Sequence, residues 1–408
     1  MKKALLKNYA ELLVKMGVNV QKGQELNVYA SIDQVPLVTE VVKWAYKVGA
    51  KKVNVEWGCQ EVSKLHYKYR SLETLSTVEN WEVEKMKHRV EALPARLLIV
   101  SDDPDGMKGV DQKKIAMSRR ATYPIMKPFI DQIENKEQWC IAGASSSKWA
   151  KKVFPHLSKA KAVEALWDAI FTSSRVDGHA IENWEKHNDN LTKKCNYLNS
   201  LKLKELRYTS SNGTNLKVGL IENAVFMGGN EKALGSNIIF NPNIPSEEIF
   251  TTPKKGLAEG IVYSAKPLSY QGQLIENFSV RFENGKAVEV KAEKGEELLK
   301  EMISMDETAG YLGEVALIAY DSPINNTGLL FFETLYDENA SCHLALGRGF
   351  SNCIKDYEKY TKEEIDEMGI NDSMIHVDFM IGSKDMSIVG ITSSGEEIQI
   401  FKDGNWAF

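Results

Sequence analysis

In the stretch Met374-Ile375-His376-Val377-Asp378-Phe379-Met380-Ile381, an imidazole and a carboxylate stand two residues apart. Ile375, Val377, Phe379 and Ile381 alternate with His376, Asp378 and Met380, and a period of two is the strand period. His376 and Asp378 therefore share one face of a predicted strand, about 6–7 Å apart along it. A pair of that kind is half of a metal site built from nitrogen and oxygen donors. The ordinary alternative is a half-exposed strand whose polar face happens to carry the two residues, and this stretch by itself favours it.

Three other places hold matching side chains. Asn243-Ile244-Pro245-Ser246-Glu247-Glu248-Ile249-Phe250-Thr251-Thr252-Pro253 is a proline-bracketed loop with paired acids. Gly313-Glu314-Val315-Ala316-Leu317-Ile318 sets a glutamate at the head of an apolar strand. Asp337 and Glu338 precede His343 in a segment that also carries Asn339, Ala340, Ser341 and Cys342. Taken singly, each is ordinary: a solvated glutamate pair, a strand-end glutamate facing water, a turn. Of the seven histidines, only His343 and His376 combine a nearby carboxylate with apolar, low-charge surroundings. His66, His88, His156, His179 and His187 read as surface or capping residues. Two histidines with several carboxylates suit one or two divalent ions, with zinc, cobalt and manganese all compatible. The acidic run Asp102-Asp103-Pro104-Asp105-Gly106 copies part of a calcium loop. Its closing position is Gln112 rather than a bidentate glutamate, so it reads as a turn.

The elements that must position these residues fall into two regions. A chain of 408 residues is long for one core and predicts two domains. In the first, Glu25–Ala30, a helix opened by Pro36, and Lys52–Trp57 form a strand–helix–strand unit, so the sheet is parallel. Further strands are expected at Arg96–Val100 and Trp139–Ala144, with helices over Ala160–Phe171 and His179–His187. Ile115–Asp131 is helical in part, interrupted by Pro124 and Pro128. After about residue 195 short strands and Asn-Gly turns take over, as at Asn212-Gly213 and Asn284-Gly285. The expectation is an α/β domain with a mainly parallel sheet over residues 1–195, then a β-rich α+β domain over residues 196–408 that holds the chemistry.

Composition sets the class. Hydrophobic content of 43% and charged content of 26% are those of a soluble globular protein. A net charge of -5 carries no basic footprint for nucleic acid, and no apolar run has membrane-spanning length. Lys7, Glu11 and Lys15 interrupt the first apolar stretch, which reads as an amphipathic helix rather than a signal peptide and points to the cytoplasm. Five scattered cysteines without a CxxC pair read as reduced thiols.

The blocks Asn243–Thr251, Gly313–Leu317, Asp337–Gly347 and His376–Gly382 resemble, in order and spacing, the four signature blocks of the aminopeptidase T / aminopeptidase S family of metalloaminopeptidases. Val20-Gln21-Lys22-Gly23-Gln24 and Arg175-Val176-Asp177-Gly178 resemble the family too, so the likeness covers essentially the whole chain. The resemblance implies a dinuclear centre that removes N-terminal residues from peptides. It implies Glu248, Glu314, Glu338, His343, His376 and Asp378 as ligands, Glu314 as the bridge, and a homodimer in which the N-terminal domain shields the site.

One position departs from the family. A tyrosine commonly stands three residues past the glycine ending the His343 block, and here that residue is Phe350. A phenyl ring donates no hydrogen bond to a developing oxyanion, and loss of one such donor can cost on the order of 100-fold in rate. The expected mechanism is attack on the peptide carbonyl by a metal-activated water with a pKa of about 7, with Glu247 as general base. Two alternatives stand beside it. One is another metal-dependent hydrolysis, of amides or of phosphoesters, the latter disfavoured by the lack of an Arg/Lys cluster in the blocks. The other is a metal-bearing binding protein made catalytically weak by Phe350.

Overall fold

Residues 3–408 are described by a computed structural model of the chain. In chain order the first elements are α1 (Lys3–Leu12), β1 (Glu25–Ser31), α2 (Val35–Lys47), β2 (Lys52–Gly58), α3 (Gln60–Tyr69), α4 (Leu72–Ser76), α5 (Asn80–Ala92) and β3 (Ala95–Val100). There follow α6 (Gln112–Ile133), β4 (Trp139–Gly143), α7 (Ser147–Val153), α8 (Lys159–Ser173) and the long α9 (Ala180–Ser200). Strands then dominate: β5 (Leu203–Thr209), β6 (Asn215–Leu220), β7 (Glu231–Lys232), β8 (Ile239–Phe240), β9 (Asn243–Ile244), β10 (Ile249–Thr251), β11 (Pro253–Tyr263), β12 (Leu268–Tyr270), β13 (Gln273–Glu283) and β14 (Lys286–Lys294). The chain closes with α10 (Glu296–Ile303), β15 (Leu312–Leu317), α11 (Thr334–Glu338), β16 (His343–Gly347), α12 (Lys362–Met368), β17 (His376–Met380), β18 (Ser387–Thr392), β19 (Glu397–Lys402) and β20 (Asn405–Trp406).

Packing separates two units. Met1–Trp184 and Asn230–Pro245 form one, and Glu185–Gly229 with Ser246–Phe408 form the other. A single cut near residue 195 does not describe this division. The first boundary lies inside α9, and the segment Asn230–Pro245 returns to the first unit because β9 adds a strand to its sheet.

The first unit is built on a five-stranded sheet in the order β2-β1-β3-β4-β9, every pair of which is parallel. β1 buries Leu26, Val28 and Ala30. α2 turns Leu37, Val38, Val41 and Ala45 inward, with Pro36 in its first turn, where its missing N–H has no helical partner to lose. α6 runs without a break through Pro124 and Pro128, against the expected interruption. Each proline removes one internal N–H. The residues whose carbonyls thereby lose a partner, Arg120 and Pro124, are exposed, so no buried polar group is orphaned. The acidic run after β3 is a turn closed by Gly106 N–H donating to the Asp103 carbonyl at 2.9 Å. All five cysteines are free thiols.

The second unit holds a nine-stranded sheet, ordered β12-β13-β11-β6-β5-β18-β19-β20 with β14 on β13, and a four-stranded sheet ordered β10-β15-β16-β17. Both expected Asn-Gly turns are present, joining β5 to β6 and β13 to β14 as antiparallel hairpins. One apolar core serves both sheets. Val315, Leu317, Leu344, Leu346, Val377 and Phe379 of the small sheet cluster with Tyr208, Val218, Phe278, Val280 and Ile388 of the large one. Phe379 is 1% exposed, and its ring lies 5.8 Å from that of Phe278.

Phe379→Ala should therefore destabilise the protein by about 3–5 kcal/mol, through lost burial and the cavity left behind. Urea unfolding followed by intrinsic fluorescence measures this. A change below about 1 kcal/mol would show that the site can collapse around the smaller residue.

Candidate metal centre

The small sheet presents two opposite faces, and the register assigns each residue to one of them. Val315, Leu344 and Phe379 form a cross-strand row on the core face. The next row is Glu314, Ala345 and Asp378, and beyond His343 stand Ala316 and Met380. Glu314, His343, His376 and Asp378 consequently share the face turned away from the main core. Ala345 lies between Glu314 and Asp378, and its single methyl leaves the space above the sheet to the longer side chains.

Glu314 reaches this face through an irregularity. Leu312 pairs with Leu346, but Glu314 pairs with Ala345, so β15 carries one extra residue at Gly313. Without that bulge, Leu312 and Glu314 would point the same way, into the core. Gly313 is required there, because a Cβ would lie 2.2 Å from the Arg348 carbonyl oxygen. The glycine immediately before the glutamate is the sequence signal for this re-aiming.

The side chains meet in two triads. Glu248, Glu314 and His343 offer ligand atoms within 4.8 Å of one another, and so do Glu314, His376 and Asp378. Glu314 belongs to both. His376 Nε2 lies 3.1 Å from Glu314 Oε2 and 3.2 Å from Asp378 Oδ1. His343 Nε2 lies 3.5 Å from Glu248 Oε2 and 4.0 Å from Asp378 Oδ1. Glu338, at the end of α11, is in neither triad, but it is buried and its carboxyl feels the charges of Asp378, Glu248 and Glu314.

Whether these residues suit a cation can be read from the imidazoles. His343 Nδ1 is 3.0 Å from the Glu338 carbonyl oxygen, and His376 Nδ1 is 2.7 Å from that of Arg348. A carbonyl only accepts, so each Nδ1 carries the proton. Unless it too is protonated, each Nε2 then turns a lone pair toward carboxylate oxygens, which also only accept. Acceptors held face to face need a proton or a cation between them. Tying the far ring nitrogen to a carbonyl is also how metal-binding histidines are oriented. The donor set fits divalent ions.

Charge reinforces this. Burial, with the Asp378 charge beside it, pushes Glu314 up to about 7, against the opposing pull of His376. Burial and the Asp378, Glu248 and Glu314 charges raise Glu338 well above the usual carboxylate range. For Asp378 burial works upward, but the His376 imidazole outweighs it and holds the group down at about 2. His376 is driven well above its usual value: burial opposes its charge, and Asp378 and Glu314 more than compensate.

Other candidates separate from the centre. Asp337 is buried and accepts hydrogen bonds from the backbone N–H groups of Phe331 at 2.7 Å and Glu333 at 3.2 Å, so it clamps a loop. Glu247 is in neither triad. Its Oε2 lies 3.9 Å from His187 Nε2, which is 2.7 Å from the Ser246 carbonyl. His187, expected at the surface, is thus largely buried beside the loop of paired acids, and nothing in its local sequence signals that. Asn339 was also hidden. It is fully buried, its Oδ1 accepts from Glu247 N–H at 2.8 Å and its Nδ2 donates to Glu338 Oε1 at 3.3 Å. Phe350 stands over the centre, its ring 4.9 Å from that of His376 and 5.6 Å from that of Phe250.

Known proteins resemble this chain throughout its length. The thermophilic metalloprotease family M29 matches residues 2–406. Aminopeptidase AmpS of Bacillus subtilis is 44% identical over 99% of this chain and 98% of its own. Aminopeptidase 2 of Geobacillus stearothermophilus is 40% identical over the same shares. The structure of wild-type AmpT from Thermus thermophilus superposes with a TM-score of 0.90 at 37% identity, covering 100% of both chains.

A pH dependence follows for the protein treated with a chelator. A carboxyl raised by folding keeps its proton longer in the folded state, so Glu314 lowers stability as pH rises from about 4.5 to about 7. His376 adds to the fall above its unfolded value near 6.5, whereas Asp378 contributes loss only below about 3.8. Glu314→Gln should flatten the decline between pH 4.5 and 7, read from urea midpoints in EDTA. Identical pH profiles for the two proteins would refute the assignment.

Proposed function

We propose that this chain, which belongs to the thermophilic metalloprotease family M29 and is a metal-dependent aminopeptidase, works through two divalent ions held by Glu248, Glu314, Glu338, His343, His376 and Asp378. The observation that carries this reading is the membership of Glu314 in both triads, the position a carboxylate bridging two ions would occupy. Zinc, cobalt and manganese all suit the mixed imidazole and carboxylate donors. Such ions supply Lewis acidity toward a peptide carbonyl and lower the pKa of a water to about 7.

The protein's own part is orientation and proton handling. The core face of the small sheet holds β15, β16 and β17 in register, and backbone carbonyls fix both imidazoles. In our reading Glu247 is the general base, taking the proton of the attacking water at its carboxylate and returning it to the departing amine. His187, 3.9 Å away, and Asn339, bonded to its backbone N–H, position it. The substrates are peptides with a free N-terminus. The same proposal includes a homodimer in the cytoplasm. No helix among the described residues is long and apolar enough to cross a membrane.

Release of free amino acids from a panel of short peptides, with and without chelator, tests the activity. His376→Ala should abolish release and remove one bound ion, counted by elemental analysis. Two ions retained by that variant would overturn the ligand set. Glu247→Gln should lower kcat by about 100-fold or more with metal content unchanged, and full turnover would remove Glu247 from the mechanism.

Position 350 gives a separate prediction. Phe350→Tyr restores a donor beside His376 and should raise kcat, by up to about 100-fold, with little change in KM. An unchanged kcat would mean that the donor takes no part in this enzyme's reaction.

A further inference from the structure

One sheet–helix contact in the first unit departs from the rule that parallel sheets are covered by apolar surfaces. β1 buries Leu26, Val28 and Ala30 on one side and turns Asn27 and Tyr29 to the other. The parallel register sets Asn27 beside Asn54 and Tyr29 beside Glu56 of β2. α5 lies over this side. Its residues Glu82, Lys85, Met86 and Arg89 fall at i, i+3, i+4 and i+7, which is one helix face. That face is ordinarily apolar. Here only Met86 is, and it is the one buried residue of α5. The two polar surfaces line a solvent-open cavity of about 350 Å³, in the range of small-molecule sites, about 300–1,000 Å³. Breaches of local packing rules of this kind are expected where a protein has something to bind.

The lining offers three kinds of group. On the floor, Asn54 Nδ2 donates to Asn27 Oδ1 at 2.9 Å, which leaves the Asn27 amide hydrogens and the Asn54 carbonyl for a ligand. At one side stands Glu56, 2.5 Å from Lys85 Nζ. At the other stands Arg89, which holds the Glu137 carboxylate behind the lining through Nε at 2.9 Å and through Nη2, and Arg96 donates to the same carboxylate at 3.1 Å. Two guanidiniums on one carboxylate leave a positive charge uncompensated. Trp81, which is 65% exposed, lines the cavity with Met86 and Met126 and supplies an apolar rim.

We propose that this cavity binds a free α-amino acid. Charges of both signs within one small volume select a zwitterion over a neutral sugar or a polyanion. The carboxylate lies toward Arg89 and the asparagine amides, the ammonium toward Glu56, and the side chain against Trp81, Met86 and Met126. This site is separate from the candidate metal centre, and its occupancy does not depend on the proposed reaction.

Isothermal titration calorimetry of the full chain with L-leucine and L-phenylalanine, in the presence of metal and again in EDTA, tests it. The expected result is saturable one-to-one binding that EDTA leaves unchanged. In EDTA, where no amide hydrolysis competes, N-acetyl-L-leucine and L-leucinamide, each lacking one charge, should bind at least about 10-fold more weakly. Trp81→Ala, at an exposed position that folding tolerates, and Asn54→Leu should each weaken L-leucine binding by a similar factor. Absence of saturable heat up to about 10 mM overturns the proposal. So does binding abolished by EDTA, which would place the amino acid at the metal centre, or binding equally tight in both variants.

Discussion

Carboxylates buried side by side repel one another, and each has also given up its hydration. Glu248, Glu314, Glu338 and Asp378 are all buried, and across the sheet only the methyl of Ala345 stands between Glu314 and Asp378. What holds them there is the opposite face of the same strands. Val315, Leu344 and Phe379 gain burial only if Glu314, His343 and Asp378 turn the other way. The apolar core thus imposes a concentration of negative charge that is stable only with protons or cations among the oxygens. The upward shift of Glu314 and Glu338 and the strong basicity of His376 are the protonated answer to that constraint. Divalent ions are the other answer, and the imidazole tautomers are already set for them.

Orientation around the centre comes from the backbone as much as from side chains. The Glu338 and Arg348 carbonyls aim the two imidazoles. Gly313 turns a would-be core position into an outward one, and Asn339 ties the Glu247 backbone to the Glu338 carboxylate. These are short connections within rigid elements, so small displacements at any of them would be felt at several donor atoms at once.

Much of this was legible in the sequence. The alternation across Ile375–Ile381 named the strand and set His376 and Asp378 on one face of it, because the period of two survives wherever one face packs on a core. The parallel sheet, both hairpins and the change of character toward a β-rich second region were readable for similar reasons. Glu314 was harder: strict alternation would send it inward with Leu312, and only the glycine before it hints at the bulge. His187 and Asn339 gave no local sign, since their importance lies in partners far along the chain. The helix across Pro124 and Pro128 was misjudged because local propensity speaks for interruption, whereas an exposed helix tolerates a lost bond. The return of Asn230–Pro245 to the first unit lies beyond periodicity altogether, because strand pairing at that distance leaves no trace in neighbouring residues.

That return limits how far the protein is modular. A fragment ending at Trp184 would leave β4 as an unprotected edge, since β9, which covers it, comes much later in the chain. Open parallel edges invite pairing with other chains. The second unit, cut out by itself, would have to bridge the missing Asn230–Pro245 in a linker running straight into the loop of Glu247 and Glu248. Neither half is a single contiguous stretch of chain, so no one cut yields either of them whole.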